Sequence, residues 1–304
     1  MLDLATFVMR SRWTAITVYT VFLALGTFVL PVLVMACAVA ALVTLRNGPV
    51  EGLLVVVIGT LLTSAFAALG SPASHVVEVI GVSVGVTAVP VWIIACVLRR
   101  QADWPLALAM AALICGIWVT VVYAMLDSPT VWWTKQLEAE LAGAQGLPAG
   151  RDLNDMIAQF APHMTGLFGA MLLLFCVSGL MLGRWWQSLL YNPGGFRKEF
   201  ISLRLTRNHA LVLLAFVVIG WFGGESVGMW AADIGSILIA MFIFPGIALA
   251  HVWANQTPFT NAALAGFYIA IVVIPHMAAA LGWMDSWLDL RKRWIQPTNG
   301  TGPG

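Results

Sequence analysis

The chain has 304 residues, 61% of them hydrophobic and 10% charged, with a formal net charge of +1. Soluble domains run at about 45–50% apolar and about 25% charged, so the composition excludes a soluble core and predicts an all-α, polytopic transmembrane helical bundle. The balanced charge offers no bulk basic surface for nucleic acid, and no polar stretch is long enough to fold as a separate domain.

A helix that crosses the bilayer needs about 20 apolar residues. The first apolar run, Thr14 to Leu45, exceeds one span and carries Pro31 near its middle. It predicts two short helices in a hairpin, or one helix plus a re-entrant piece. It leads straight into more apolar sequence, so it does not read as a cleaved signal peptide. Further spans are expected near 52–70, 76–98, 104–126, 163–183, 209–222, 231–250 and 262–283, which makes eight or nine segments.

Lys and Arg placement sets their orientation. Arg10 and Arg12, then Arg99 and Arg100, read as cytoplasmic. So does the connection 184–208, with Arg184, Arg197, Lys198, Arg204 and Arg207 against Glu199. The connection 127–162 carries Asp127, Glu138, Glu140, Asp152 and Asp155 against Lys135 and Arg151, and reads as external. Within it, Lys135 to Ala144 and Asp152 to Phe160 are expected as short surface helices around Gly146-Leu147-Pro148, either lying on the membrane or lidding an opening. Nine spans would put Arg291-Lys292-Arg293 outside. About eight spans with both termini cytoplasmic are therefore preferred. Either two segments are one span, or a piece near Gly220–Met229 or Pro275-His276 is re-entrant. Residues 1–295 read as one membrane domain and 296–304 as a disordered tail.

No Walker A loop, HExxH, GxSxG or GxGxxG is present, so no enzymatic role, cofactor or metal site is read. Cys37, Cys96, Cys115 and Cys176 all lie in apolar runs without a CxxC pair and read as packing residues. Ionisable groups at membrane depth are costly and therefore functional candidates. His75 and Glu78, three apart, would share a helix face. Glu225 and Asp233 flank Gly228-Met229-Trp230, and His276 follows Pro275. These five form the candidate solute or ion site. The competing reading places the first four at helix ends near headgroups and water, with His276 bonding a carbonyl freed by the proline. Small-residue pairs at Ala36/Ala40, Gly81/Gly85, Gly179/Gly183 and Gly224/Gly228 would let helix backbones approach, within the chain or against a partner.

The most specific stretch is WWQSLLYNPGGFRKEF, residues 185–200. Trp185, Trp186 and Tyr191 stand where an aromatic belt meets the membrane edge. Asn192-Pro193-Gly194-Gly195 has turn chemistry. A helix beginning near Phe196 would aim backbone N–H groups at that turn, beside Arg197 and Lys198. With Arg204, these residues make a candidate loop for lipid phosphate or for docking a cytoplasmic or membrane partner protein.

Gly183-Arg184-Trp185-Trp186-Gln187, Tyr191-Asn192-Pro193-Gly194-Gly195-Phe196, Glu199-Phe200, Leu203-Arg204-Leu205 and the closing Asp285-Ser286-Trp287-Leu288-Asp289-Leu290-Arg291 together resemble the proteobacterial branch of the YybS-like membrane proteins (DUF2232). The resemblance runs from the Pro31 hairpin to Arg293. It implies a multi-pass protein of the bacterial inner membrane, similar in layout to the substrate-capture subunits of energy-coupling-factor transporters. The family has no established activity, so no site residue carries over. Two functions are therefore expected: a transport-type subunit that binds a small solute and depends on a partner for energy, or a scaffold whose basic loop docks a protein or anionic lipid.

Overall fold

The computed structural model describes residues 1–70, 88–141 and 151–295. Among these it is helical throughout, without strands. In chain order the helices are α1 (Leu2–Val8), α2 (Arg12–Gly26), α3 (Leu33–Asn47), α4 (Pro49–Gly70), α5 (Val89–Gln101), α6 (Trp104–Met125), α7 (Pro129–Leu141) and α8 (Arg151–Phe160). There follow α9 (Met164–Tyr191), α10 (Gly195–Ser202), α11 (Arg207–Phe222), α12 (Gly224–Ala254), α13 (Thr260–Val273), α14 (Pro275–Leu288) and α15 (Leu290–Ile295). His75, Glu78, the Gly81/Gly85 pair, the turn at 146–148 and the tail 296–304 lie outside the described residues.

Five segments are long and apolar enough to cross a membrane: Leu30–Asn47, Pro49–Leu69, Trp104–Met125, Leu153–Tyr191 and Gly224–Ala254. They make this a multi-pass membrane chain. Two bent helix pairs raise the number to seven if each counts as one span. The larger count from sequence also rested on α2, only 15 residues long, and on the run 76–98, which lies largely outside the described residues.

The Pro31 run forms the expected pair of helices. Pro31 opens a 3-10 turn, Leu30–Val32, where its fixed φ and missing N–H are tolerated. Gly26 lets α2 close on Leu33. The run 262–283 is broken: α13 and α14 meet at Ile274–Pro275, where a break or a re-entrant piece was expected, with a bend of 112°. Pro275 starts α14 and disfavours a helical Ile274, whose φ and ψ are −133° and 76°. At 220–229 the chain turns from α11 into α12. There, Gly223 and Gly224 make a tight turn, Gly224 at φ 73°, from which α12 runs unbroken through 31 residues.

Glycines set the packing of α9. A Cβ on Gly166 would meet the Asp233 carboxylate at 2.5 Å and one on Gly169 would meet Ile237 at 2.9 Å, so the first turns of α9 press on α12, and the two helices run parallel. Further along, a Cβ on Gly179 would lie 2.2 Å from Cys37 and one on Gly183 2.7 Å from the Ala38 carbonyl. The lower half of α9 therefore presses on α3 instead. The Gly179/Gly183 pair is an intramolecular contact, facing Cys37, Ala38 and Ala41 of α3. Because α9 swings from one neighbour to the other, a wedge opens between its lower half and α12.

Trp186 belongs to this contact. It follows Gly179 and Gly183 on the same helix face and is 0% exposed, packed in one cluster with Tyr19 and Leu42. It is a core residue, which corrects the expectation of a membrane-edge anchor. α9 extends to Tyr191, so the tryptophans lie on the helix and not in a connection after it. Trp186→Ala should cost about 3–5 kcal/mol and lower the unfolding midpoint in detergent. Trp185→Ala, on the half-buried face, should cost clearly less.

The C-terminal helices are locked by buried charge. Asp285 is 0% exposed. It accepts 2.9 Å from Arg291 Nε and 3.0 Å from the Leu290 backbone N–H. Arg291 in turn donates to the carbonyls of Ile201, Leu203 and Pro245. Arg204 donates to the Asp285 carbonyl at 2.9 Å and pairs with Asp289 at 3.0 Å. Lys292 and Arg204 hold the Asp289 carboxyl below its ordinary pKa. Arg204 is thus spent inside the chain, against its expected place in a docking loop.

Candidate functional site

The three described members of the predicted solute site do not converge. Glu225 and His276 are exposed at the starts of α12 and α14. Asp233 is 3% exposed, but its carboxylate is already used. Tyr123 donates its hydroxyl proton to Asp233 Oδ2 at 2.8 Å, and the Gly166 backbone N–H bonds the same group. Gly166 lies in the first turn of α9, where backbone donors lack helical partners. Asp233 therefore caps α9 from a neighbouring helix, which accounts for a carboxylate at that depth. Next to it, Trp133 of α7 donates to Thr165 Oγ1 at 2.9 Å, seating α7 on the same end of the bundle.

The opposite end collects the cations. Arg12 pairs with Glu51, and Arg99 donates to the last carbonyls of α3. Arg46 stacks over the Tyr191 ring at 3.9 Å. Arg184 grips Glu199 with two bonds, while Trp104 Nε1 donates to the same carboxylate at 3.2 Å. These pairings neutralise much of the basic connection. Arg197 and Lys198 remain exposed, and Arg197 has a neutral partner, Asn255 Oδ1, at 3.2 Å.

The turn between α9 and α10 follows from its sequence. Ser188 Oγ donates to the Asn192 carbonyl at 2.7 Å and accepts from Phe196 N–H at 3.0 Å. Gly194 takes φ 82°, a conformation that costs a glycine little. The chain reverses and lays α10 under the wedge. Phe196 and Phe200 stack with centroids 5.8 Å apart.

The wedge is a groove of about 600 Å³. Met181, Leu182, Leu189, Phe244 and Ile247 line its length, and Phe196, Phe200 and Ile201 its lower end. Arg197, His251 and Tyr268 gather at that end, while Ser178, Trp185 and Ser188 lie along α9. His251 Nε2 and the Tyr268 hydroxyl are 2.9 Å apart, and Phe200 meets the His251 ring edge-on at 5.5 Å. None of the lining side chains is acidic. An apolar trough that ends in Arg197, a histidine and a phenol suits a molecule with a long apolar body and an anionic head.

No family model, no curated protein and no solved structure matches this chain.

Of the predicted loop residues, Trp185, Gly194 and Arg197 line the groove. Tyr191 packs under Arg46, Asn192 and Gly195 build the turn, and Lys198 is exposed beside it. His251, Tyr268, Phe244 and Ile247 were not among the sequence candidates. His251 directly follows the apolar run 231–250, and Tyr268 lies 17 residues further on, at no spacing that pairs them on one helix.

Proposed function

We propose that this chain is a multi-pass protein of the bacterial inner membrane that binds an anionic amphiphile in the groove between α9, α10 and α12. The observation that carries this reading is the joining of one apolar trough to a polar end where, among the described residues, the one charged lining group is the cationic Arg197. The basic end of the bundle would face the cytoplasm, following the positive-inside rule, and the groove would take its ligand from that leaflet. Membership of the YybS-like family is part of the same proposal. On this reading anionic lipid binds in a groove to which the loop expected from sequence contributes Trp185, Gly194 and Arg197. A small-solute site on Asp233, Glu225 and His276 has weaker support, because the one buried member serves as a helix cap.

The test is lipid retention in native mass spectrometry. The protein is purified from mixed micelles containing equal phosphatidic acid and phosphatidylcholine. A hydrogen bond to a charged group is worth about 1.5–3 kcal/mol, so Arg197→Gln should weaken phosphatidic acid retention roughly tenfold or more. Arg100→Gln, exposed and outside the groove, should leave it unchanged. Equal retention of both lipids by the unaltered chain would defeat the proposal.

A further inference from the structure

The groove has a fourth wall, and that wall is attached lightly. Tyr268 is carried by α13, none of whose 14 residues is buried. Both ends of α13 are breaks in the chain. At one end Thr260 Oγ1 bonds the Ala254 and Thr257 carbonyls in the turn after α12. At the other, Ile274 and Pro275 make the 112° bend into α14. α14 itself is anchored, because Gly246 and Gly282 interlock it with α12 and Asp285 ties its end to Arg291. Between these fixed ends, the side-chain bond from α13 to the groove is Tyr268 to His251.

The outer face of α13 is apolar, with Val272 84% and Val273 73% exposed. Such a face is stable in hydrocarbon and costs nothing to slide there. A helix with no buried residue loses little packing when it swings, since stability is lowest where buried apolar contacts are few.

We propose that α13 is a lateral gate to the groove, latched by the Tyr268–His251 hydrogen bond and released when a phosphate headgroup takes the place of Tyr268 on His251. The gate rests on the amphiphile reading above, and deepens it by naming the headgroup class and the route of entry. A phosphate has enough acceptor oxygens to take bonds from Arg197 and His251 together, both of which line the groove from helices other than α13. The tail would then enter sideways from the leaflet, with no need to thread the end of the bundle.

The experiment places nitroxide labels at Met171→Cys on α9 and Val272→Cys on α13, both exposed positions, in a Cys96→Ala background whose remaining cysteines are buried. Distances are read by pulsed electron resonance in nanodiscs of phosphatidylcholine, with and without phosphatidic acid, and bound lipid is assayed in the same preparation. We expect one distance population in phosphatidylcholine. Phosphatidic acid, or Tyr268→Phe alone, should add a second and longer one. If phosphatidic acid binds while the distance stays single in every sample, the gate is wrong and the groove reading survives. If no phosphatidic acid is retained, both fall. If oleic acid opens the gate as well as phosphatidic acid does, the phosphate assignment is overturned.

Discussion

Asp285→Asn should cost about 3–5 kcal/mol of stability, the penalty for stranding one member of a buried ion pair. The substitution keeps the shape of the side chain and removes its charge. Arg291 is then left 8% exposed, with only carbonyl partners for its guanidinium. Arg291→Met should cost a similar amount by stranding the carboxylate. The double variant Asp285→Leu with Arg291→Met should recover part of the loss, because an apolar pair needs no counter-charge. Recovery should be incomplete, since the Ile201 and Leu203 carbonyls lose their donor and buried unpaired acceptors carry their own penalty. Unfolding midpoints in detergent, followed by tryptophan fluorescence, give the comparison. If Asp285→Asn matched the unaltered chain, the ion pair would not be what holds α14 and α15.

Gly246→Ala should be the most damaging single methyl addition in α12. Its Cβ would fall 1.8 Å from the Ala278 carbonyl oxygen, a backbone atom that no rotamer change can move. Gly282→Ala has the same difficulty against the Phe242 carbonyl at 2.2 Å. Overpacking typically costs about 1–3 kcal/mol, and these two belong at the top of that range because α12 and α14 must part along their length. Gly235→Ala is the internal control. A Cβ there meets nothing within 4 Å, so the better helix propensity of alanine, about 1 kcal/mol over glycine, should leave it neutral or stabilising. Equal midpoints for Gly246→Ala and Gly235→Ala would contradict this packing.

Much of the architecture was readable from residue type alone. Apolar runs of span length and the proline at 31 act locally, and their consequences follow from backbone chemistry. Pro275 was legible as a possible break, although the direction of the bend depends on α12. The Trp185-Trp186 pair shows where such reading stops. Two adjacent residues on a helix point about 100° apart, so one entered the core with Gly179 and Gly183 while its neighbour lined the groove. Arg204 shows a second limit. Its charge looked free because its partners, Asp285 and Asp289, lie some 80 residues further along the chain. Asp233 was rightly singled out as costly, yet the donors that satisfy it come from Tyr123 and the start of α9, which no spacing on α12 reveals.

The groove was hidden for the same reason. It arises where α9 leaves α12 for α3, and it is finished by α10, α12 and α13 together. The most direct test of the account is an experimental map of the protein in nanodiscs containing phosphatidic acid. Continuous density is expected along Leu189, Phe244 and Ile247, with its head against Arg197 and His251. A groove filled by its own side chains, with ordered lipid only elsewhere on the surface, would contradict it.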